Sequence, residues 1–257
     1  SCQNSSISLK ENKIFCNNCN KEYLNDFVPL MFEDNSWDEK KQDVTKQVQD
    51  FYETTPFPNY EGIESINDLV KKAETGFYAK FLNEQIPFNA KVLEVGCGTG
   101  QLANYLGLAS RKLYGTDICL HSLKLAEKFR LKNNISNTNF FQMNLFKPIF
   151  QEKSFDLVIC QGVLHHTSDP YQGFMEINKL VKPGGYIIIG LYNQYGRYIT
   201  DIRRFLFNIT KDKFKFFDPR LKKEDRGFAK RNAWFKDQYK HPHESKHTIG
   251  EVLKWFD

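Results

Sequence analysis

The stretch that decides the fold is Val92-Leu93-Glu94-Val95-Gly96-Cys97-Gly98-Thr99-Gly100. It is a short apolar run that leads into a glycine loop, and a helical pattern follows from Gln101. Glycines let the backbone turn sharply and let a ligand approach without meeting a Cβ atom. In open α/β sheets, ligands bind at the carboxyl ends of the strands. The stretch therefore predicts a nucleotide-like binding site where this strand ends.

Short apolar runs alternate with helical patterns between residues 91 and 192. We expect strands at Lys91–Val95, Lys112–Thr116, Asn139–Gln142, Phe155–Cys160 and Tyr186–Leu191. We expect helices at Gln101–Ala109, at Leu120–Lys132 and from Pro170 to about Val181, before the breaker Lys182-Pro183-Gly184-Gly185. This alternation predicts right-handed βαβ units, and the apolar strands suit a sheet covered on both faces. The predicted fold class is α/β, a Rossmann-like three-layer sandwich with a mostly parallel sheet.

The glycine spacing separates two classes of cofactor. A dinucleotide fingerprint is G-x-G-x-x-G, with Gly or Ala in the last position. Here the pattern is G-x-G-x-G, and Gln101 occupies that last position. Glu94, two residues before the first glycine, would repel a pyrophosphate but suits a cationic sulfonium with an ammonium tail. These residues favour S-adenosylmethionine over NAD.

Asp117 closes the second predicted strand, 17 residues after Gly100. A carboxylate at that point can accept hydrogen bonds from both hydroxyls of a ribose. A lone Asp at a strand end also serves as a helix cap or a turn residue. The glycine loop upstream favours the ribose role.

Four motifs follow one another in a family-like order. They are the glycine stretch 92–100, Gly115-Thr116-Asp117, Phe155–Cys160 running into Val163-Leu164-His165-His166, and Leu180-Val181-Lys182-Pro183-Gly184-Gly185. With this order and spacing, the sequence resembles the class I S-adenosylmethionine-dependent methyltransferase family over about residues 75–192. The resemblance implies a Rossmann-like fold, S-adenosylmethionine as the cofactor and transfer of a methyl group.

The resemblance also implies roles for individual residues. Glu94 and the loop backbone border the methionine part of the cofactor, Asp117 holds the ribose, and Ile118 packs on the adenine. Asn144 stands where the family usually has an acidic contact to the adenine amino group, and it offers an amide oxygen without charge. The expected cofactor-binding residues are Glu94, Gly96, Cys97, Gly98, Gly100, Asp117, Ile118, Asn144, Leu145 and Gln161.

Two residues are candidates for catalysis. Methyl transfer depends mainly on proximity and alignment, and only some nucleophiles need a general base. His166 follows the fourth strand beside His165, at the expected mouth of the cleft, and is the candidate base. Helix capping or packing is the competing interpretation of both histidines. Tyr192 ends the fifth strand and is expected to face the substrate.

Two segments outside the predicted sheet carry aromatic and polar residues. The segment Asp50–Tyr60 is either a lid, whose rings face a sulfonium through cation–π contact, or an N-terminal helix that simply packs on the core. The segment Asp237–Ser245 is a substrate loop, a metal site or plain surface. Its histidines, with His247, lack a convincing metal-ligand spacing.

The first residues contain a cysteine knuckle. Cys16-Asn17-Asn18-Cys19 is a C-x₂-C motif, and Cys2 lies 14 residues before it. The head resembles small zinc-ribbon domains found with some methyltransferases, which need two such knuckles. The expected ligands are Cys2, Cys16 and Cys19, with a fourth cysteine before Ser1 and a zinc ion in the full-length protein. A degenerate ribbon that folds without metal stays open.

The bulk composition bounds the partners. The 257 residues carry a net charge of +5, and residues 197–257 alone hold 16 Lys/Arg and 9 Asp/Glu, a net of +7. This basic segment meets an anionic substrate or a nucleic acid, or it is a solvated helical surface. No apolar run is long enough to predict a membrane span. The cysteine spacing is not that of a disulfide framework, which fits a cytoplasmic protein.

The expected organisation has four parts. They are a truncated ribbon-like segment at 1–35, a helical extension and cofactor lid at 36–90, the Rossmann-like core at 91–193 and a basic helical region at 194–257. We expect the family's final hairpin beyond Asp257, which leaves the fifth strand with an exposed edge. The first functional hypothesis is a methyltransferase acting on a small molecule or biosynthetic intermediate. The alternatives are a tRNA or rRNA methyltransferase and a non-catalytic cofactor-binding partner protein.

Overall fold

A computed structural model describes residues 7–10, 12–18, 20–31, 44–215, 218–221 and 227–257. The N-terminal head is a small antiparallel sheet. Its strands lie in sequence order, and they are β1 (Ile7–Lys10), β2 (Lys13–Cys16), β3 (Glu22–Asp26) and β4 (Val28–Pro29). The head is attached to the core through Val28, which is buried against Ala126 and Phe140, and through an ion pair of 2.6 Å between Asp26 and Lys124.

The core is a five-stranded parallel sheet in the order β7-β6-β5-β8-β9. The strands are β5 (Lys91–Val95), β6 (Lys112–Asp117), β7 (Thr138–Gln142), β8 (Phe155–Gln161) and β9 (Val181–Gly190). The crossover helices are α4 (Gln101–Gly107), α5 (Leu120–Lys132) and α6 (Pro170–Asn178). The predicted α/β fold with a parallel sheet is confirmed. The chain order reverses between β5 and β8, so the switch point lies at the carboxyl end of β5.

Helices cover the sheet on both faces, as the apolar strands require. The helices α1 (Thr45–Thr54), α2 (Ile66–Glu74) and α3 (Phe77–Gln85) precede the core. One apolar layer packs Leu69 and Leu82 with Val92 and Leu113 of the sheet. On another, Leu93 and Val158 pack with Phe174 of α6 and with Leu164.

The fifth core strand begins earlier than the sequence predicts. We expected a helix up to about Val181 and a strand from Tyr186, but α6 ends at Asn178 and β9 already includes Val181 and the Lys-Pro-Gly-Gly segment. The register with β8 shifts between Phe155 and Leu157. A Cβ atom on Gly185 would lie 2.8 Å from the carbonyl oxygen of Asp156, so glycine lets the strand start close beside β8 across this irregularity.

The C-terminal region is helical. It contains α7 (Tyr198–Ile209), α8 (Phe228–Tyr239) and α9 (Ile249–Leu253), and the side chain of Thr248 caps α9. Helix α8 was not predicted. It is held by a small separate core in which Phe207 of α7 contacts Phe235 and Tyr239.

Two predictions concern metal and membrane. Cys2 and Cys19 lie outside the described residues, and Cys16 is a partly buried residue of β2. Among the described residues, no group of three or more His, Cys, Asp and Glu side chains is placed to hold a metal ion. Within the same part of the chain, no helix has the length and apolar character needed to cross a membrane.

Candidate functional site

A cavity of about 430 Å³ opens at the carboxyl ends of β5, β6 and β8. It lies at the switch point of the sheet, where the glycine stretch ends β5. One wall is the glycine loop, a second comes from the chain after β6 and β7, and a third from the chain after β8 and β9. The segment after α1 and the end of α8 complete it. Segments that are distant in the sequence therefore line one cavity.

The glycine loop is shaped by three glycines with positive φ, which are Gly96, Gly98 and Gly100. Gly96 has φ +69° and Gly98 has φ +54°, a region that residues with a Cβ atom rarely adopt. A Cβ atom on Gly96 would collide with the side chain of Val163, and one on Gly98 would collide with the carbonyl group of Phe57. The Gly96 and Cys97 N–H groups both donate to the carbonyl oxygen of Thr116, at 2.7 and 2.9 Å. The loop is thus pinned to β6 and closed by the chain on its other side.

Glu94 is a buried acid without a full set of partners. Its side chain is 8% exposed and lines the cavity, and its Oε2 atom has no hydrogen-bond partner within the described part of the chain. Burial, together with the nearby Asp117 carboxylate, raises the pKa of Glu94 to about 8. An unpartnered acid of this kind is completed by a ligand that brings a hydrogen-bond donor or a positive charge.

Asp117 combines a structural and a cavity-lining position. Its Oδ2 atom accepts a hydrogen bond of 2.7 Å from the Gly98 N–H, and its Oδ1 atom accepts one of 2.8 Å from the Cys119 N–H. The first contact links the acid to the glycine loop. Burial raises the pKa of Asp117, although these backbone donors oppose the rise. Ile118 N–H is a third backbone donor, and the carboxylate keeps acceptor capacity for a ligand hydroxyl.

Asn144 offers a donor rather than the acceptor that we expected. Its Oδ1 atom accepts a hydrogen bond of 3.0 Å from the Phe146 N–H. Its Nδ2 atom is buried and has no partner among the described residues. An amide N–H suits a ring nitrogen of a purine, whereas the expected amino group would need the oxygen. Ile118, Met143 and Leu145 supply the apolar surroundings of this end of the cavity.

The aromatic segment after α1 forms a wall over the glycine loop. Tyr52, Phe57 and Pro58 line the cavity. The Thr99 hydroxyl donates to the Pro58 carbonyl oxygen, and the Tyr60 hydroxyl donates to that of Thr99 at 2.9 Å. The segment therefore both faces the cavity and packs on the core, so the two interpretations of Asp50–Tyr60 describe one arrangement.

A polar network that includes Tyr52 forms a further part of the cavity wall. The Tyr52 hydroxyl donates to Asp237 Oδ1 at 2.9 Å, and Gln238 Nε2 donates to Asp237 Oδ2 at 2.9 Å and to the Tyr192 hydroxyl oxygen at 3.1 Å. Asp237 is buried, and these neutral groups are its hydrogen-bond donors within the described ranges. Burial, followed by the Asp237 charge, raises the pKa of Tyr52 well above its ordinary value, so Tyr52 stays a donor.

The two adjacent histidines have different environments. His166 lines the cavity, and its Nδ1 atom lies 2.8 Å from the His243 carbonyl oxygen. Because a carbonyl only accepts, Nδ1 carries the proton and Nε2 keeps its lone pair. No hydrogen bond reaches Nε2 from the described residues. Burial lowers the pKa of His166, so the ring is neutral near pH 7.

His165 lies behind the cavity wall. Its ring stacks on Tyr192 with centroids 3.8 Å apart, and burial lowers its pKa to about 2. Both of its ring nitrogens are buried without a partner in the described part of the chain. The packing interpretation therefore fits His165, whereas His166 is available to a ligand.

A buried ion pair supports Tyr192 from the other side. The guanidinium group of Arg197 lies over the Tyr192 ring, 3.8 Å from its centroid. Arg197 Nε and Nη2 donate to the two carboxylate oxygens of Glu244 at 3.0 and 2.6 Å, and Arg204 donates to the same carboxylate at 2.7 Å. Such a bidentate, charge-assisted pair fixes a side chain firmly. The residue pair 197/244 thus holds the phenol in the cavity wall.

Nearly all predicted site residues meet in this cavity. Those that line it are Glu94, Gly96, Cys97, Gly98, Asp117, Ile118, Asn144, Leu145, Gln161, His166 and Tyr192. Gly100 does not line it, because this residue faces Phe140 and Ala126 in the core. The sequence allowed a substrate loop, a metal site or plain surface at Asp237–Ser245. The structure places Asp237 and Gln238 in the cavity wall. An aromatic and polar stretch in a basic tail was the signal that drew attention to it.

Comparison with known proteins agrees with the fold and the motifs. Residues 93–189 match the methyltransferase domain family. The ubiquinone biosynthesis O-methyltransferase of Paracidovorax citrulli is 31% identical over 106 residues, which are 40% of this chain and 44% of that protein. The tRNA U34 carboxymethyltransferase of Campylobacter curvus is 30% identical over 139 residues, which are 51% of this chain and 45% of that protein.

Solved structures share the fold. One of them, PKMT2 from Rickettsia typhi in complex with AdoHcy, superposes with a TM-score of 0.54 at 17% identity, over 69% of this chain and 41% of that chain. The chain spans between about a quarter and about half of the length of the curated relatives it matches. The match over residues 93–189 confirms the resemblance of the core to class I S-adenosylmethionine-dependent methyltransferases.

Proposed function

We propose that the protein transfers a methyl group from S-adenosylmethionine to a small molecule or biosynthetic intermediate whose nucleophile carries a proton. One observation carries this proposal. A single cavity joins the two acids at the ends of β5 and β6 to a wall that contains a neutral histidine with a free ring nitrogen. The first end suits the cofactor of the family, and the second end suits an acceptor that loses a proton.

The residues at the first end fit the cofactor. Glu94 Oε2 and Asn144 Nδ2 are buried polar atoms that lack partners among the described residues, and Asp117 has lone pairs left for ribose hydroxyls. In this proposal Glu94 lies near the methionine part, Asp117 holds the ribose and Asn144 donates to the adenine ring. When bound, S-adenosylmethionine supplies a methyl group on a positively charged sulfur.

The residues at the second end fit the acceptor. His166 Nε2 is the proposed proton acceptor for a hydroxyl or amine, with its tautomer fixed by the His243 carbonyl oxygen. The pKa of Tyr192 is raised by burial and then by Asp237. Its phenol therefore stays protonated, and we propose that it orients the acceptor instead of taking the proton. Asp237 accepts a hydrogen bond from an N–H or O–H group of the acceptor.

An RNA acceptor is the second candidate. The relative from Campylobacter curvus is a tRNA-modifying protein, and residues 197–257 carry a net charge of +7. Against it, the proposed acceptor groups His166 and Asp237 are buried within the cavity wall, which suits a small molecule better than a folded polynucleotide. A non-catalytic cofactor-binding protein would not need the neutral His166.

The location and organisation remain part of the proposal. We place the protein in the cytoplasm, because its core uses Cys97, Cys119 and Cys160 as buried thiols. We also retain the four parts 1–35, 36–90, 91–193 and 194–257, in which the second part bears the wall over the cofactor and the fourth bears the acceptor wall.

The experiment separates these acceptors. The full chain is incubated with S-adenosylmethionine labelled in its methyl group and with a cell extract split into small-molecule and RNA fractions. We expect label in the small-molecule fraction, and a loss of about 10²-fold or more in rate for His166→Ala with unchanged affinity for S-adenosylhomocysteine. Label confined to RNA would replace the acceptor proposed here. Cofactor binding without label in either fraction would refute the enzymatic function.

A further inference from the structure

Helix α7 presents an apolar stripe to solvent. Its members are between 46% and 68% exposed, and they are Tyr198, Ile199, Ile202, Phe205, Leu206 and Ile209. Tyr195 before the helix and Phe214 after it, at 76% and 47% exposed, extend the apolar surface at both ends. An amphipathic helix of a globular protein normally turns such a stripe toward the core. A contiguous exposed stripe of this kind indicates an interaction surface.

The orientation of α7 is fixed by its opposite side. At 3.6 residues per turn, Thr200 and Phe207 lie opposite the stripe, and both are buried. Phe207 contacts α8, with its ring 4.9 Å from that of Tyr239. Two ion pairs flank the helix, Arg204 with Glu244 at 2.7 Å and Asp201 with Lys246 at 2.6 Å. The helix cannot roll to bury its apolar side without breaking these contacts.

A cluster of lysines follows the stripe. Lys211, Lys213 and Lys215 come directly after α7 and are exposed. None of the three has an ion-pair partner among the residues that the structure describes. They lie in the segment 197–257, whose net charge is +7. The exposed side of α7 is therefore apolar, tyrosines lie at its N-terminal end, and lysines without an ion-pair partner in the described part of the chain follow its C-terminal end.

We propose that α7 is a docking surface for an anionic lipid bilayer, on which the helix lies in the plane of the interface. An apolar stripe inserts among acyl chains while adjacent lysines meet anionic headgroups, and tyrosines favour the interfacial layer. A second copy of the chain would bring the same positive charge to the contact and be repelled. An RNA would satisfy the lysines but leave the stripe in water.

The surface lies next to the cavity. Arg197, the residue before the first turn of α7, stacks on Tyr192 of the cavity wall. Docking would therefore hold the acceptor wall close to the bilayer surface. The inference concerns where the protein binds and does not depend on the reaction proposed above.

The experiment is co-sedimentation of the full chain with vesicles. We expect binding to vesicles of phosphatidylcholine with phosphatidylglycerol, and weaker binding to phosphatidylcholine alone. The triple variant Ile202→Glu, Phe205→Glu, Ile209→Glu should bind at least about tenfold more weakly, since it places charge in the apolar interface. A matched control is Phe77→Glu, Phe81→Glu on α3, two exposed rings away from the stripe, which should bind as the wild type does.

Two further measurements make the outcome decisive. Titration with S-adenosylhomocysteine checks that the triple variant is folded, because the variant should bind this ligand as the wild type does. If the wild type also shows no binding, the cofactor proposal is wrong and the membrane inference is unaffected. Light scattering measures the molecular mass of both proteins and shows whether the wild type is a dimer and the triple variant a monomer. The inference would be overturned if the wild type bound neither type of vesicle, or if the control and the triple variant lost binding equally. It would also be overturned if the stripe supported a dimer or an RNA complex in place of vesicle binding.

Discussion

Replacement of Glu94 by Gln tests the electrostatics of the cavity beside the glycine loop. Burial raises the pKa of Glu94 to about 8, from an ordinary value of 4.5. The folded protein therefore holds a proton that the unfolded chain releases between these two pH values. Because the folded state binds more protons, its free energy of unfolding falls as the pH rises through this window.

The change in the free energy of unfolding follows from the raised pKa of Glu94. Three and a half pKa units correspond to about 5 kcal/mol of stability, fully present below about pH 4.5 and lost above about pH 8. Gln has the same shape and no proton to lose. We expect the Glu94→Gln variant to keep its stability between about pH 6 and about pH 9 and to exceed the wild type at the alkaline end.

The assay is urea denaturation across this pH range, with and without S-adenosylhomocysteine. The ligand carries an ammonium group, so in the wild type it should restore alkaline stability by pairing with the ionised acid. Glu84→Gln is the matched control, because that acid is exposed on α3 and should leave the pH profile of the wild type unchanged. Parallel pH profiles for the wild type and Glu94→Gln would refute this account of the buried acid.

Three other predictions concern binding and the acceptor wall. Asp117→Ala should weaken the affinity for S-adenosylhomocysteine more than about tenfold in calorimetry, because charge-assisted bonds to the ribose are lost; unchanged affinity would remove Asp117 from the site. Asn144→Leu should weaken the same affinity by about threefold to tenfold, since one buried donor is lost, and a variant that binds as tightly as the wild type would show that the amide makes no contact. Glu244→Gln should lower the free energy of unfolding by about 3 kcal/mol in urea, because it leaves Arg197 buried without its anion. A change within error would show that this ion pair does not hold the wall.

The meeting of Glu94 and Asp117 in one cavity was predictable because its determinants are local in sequence. The strand, the glycine loop and the acid of the next strand recur in a fixed order, and parallel topology then brings Glu94 and Asp117 to one edge of the sheet. The position of Asn144 after the third core strand was also predictable from the sequence. Its hydrogen bonding was not, because the contact with the Phe146 N–H depends on how the chain turns after β7.

The acceptor wall was less predictable because its residues come from distant parts of the chain. Asp237 accepts a hydrogen bond from Tyr52, which lies 185 positions away in the sequence, and the residues around each give no signal that predicts this contact. Helix α8 has aromatic residues on more than one side, and its packing on α7 decides which of them are buried. The start of β9 was misplaced because Pro183 and two glycines usually end an element, whereas here they tolerate an irregular start beside β8.

Calorimetric titration of the full chain shows whether the cavity at the end of β5 holds the proposed cofactor, S-adenosylmethionine. S-adenosylhomocysteine and NAD are titrated in parallel, since these are the two cofactor classes that the glycine loop separates. We expect one binding site for S-adenosylhomocysteine and no heat from NAD. Heat from NAD, or no heat from either ligand, would contradict this expectation.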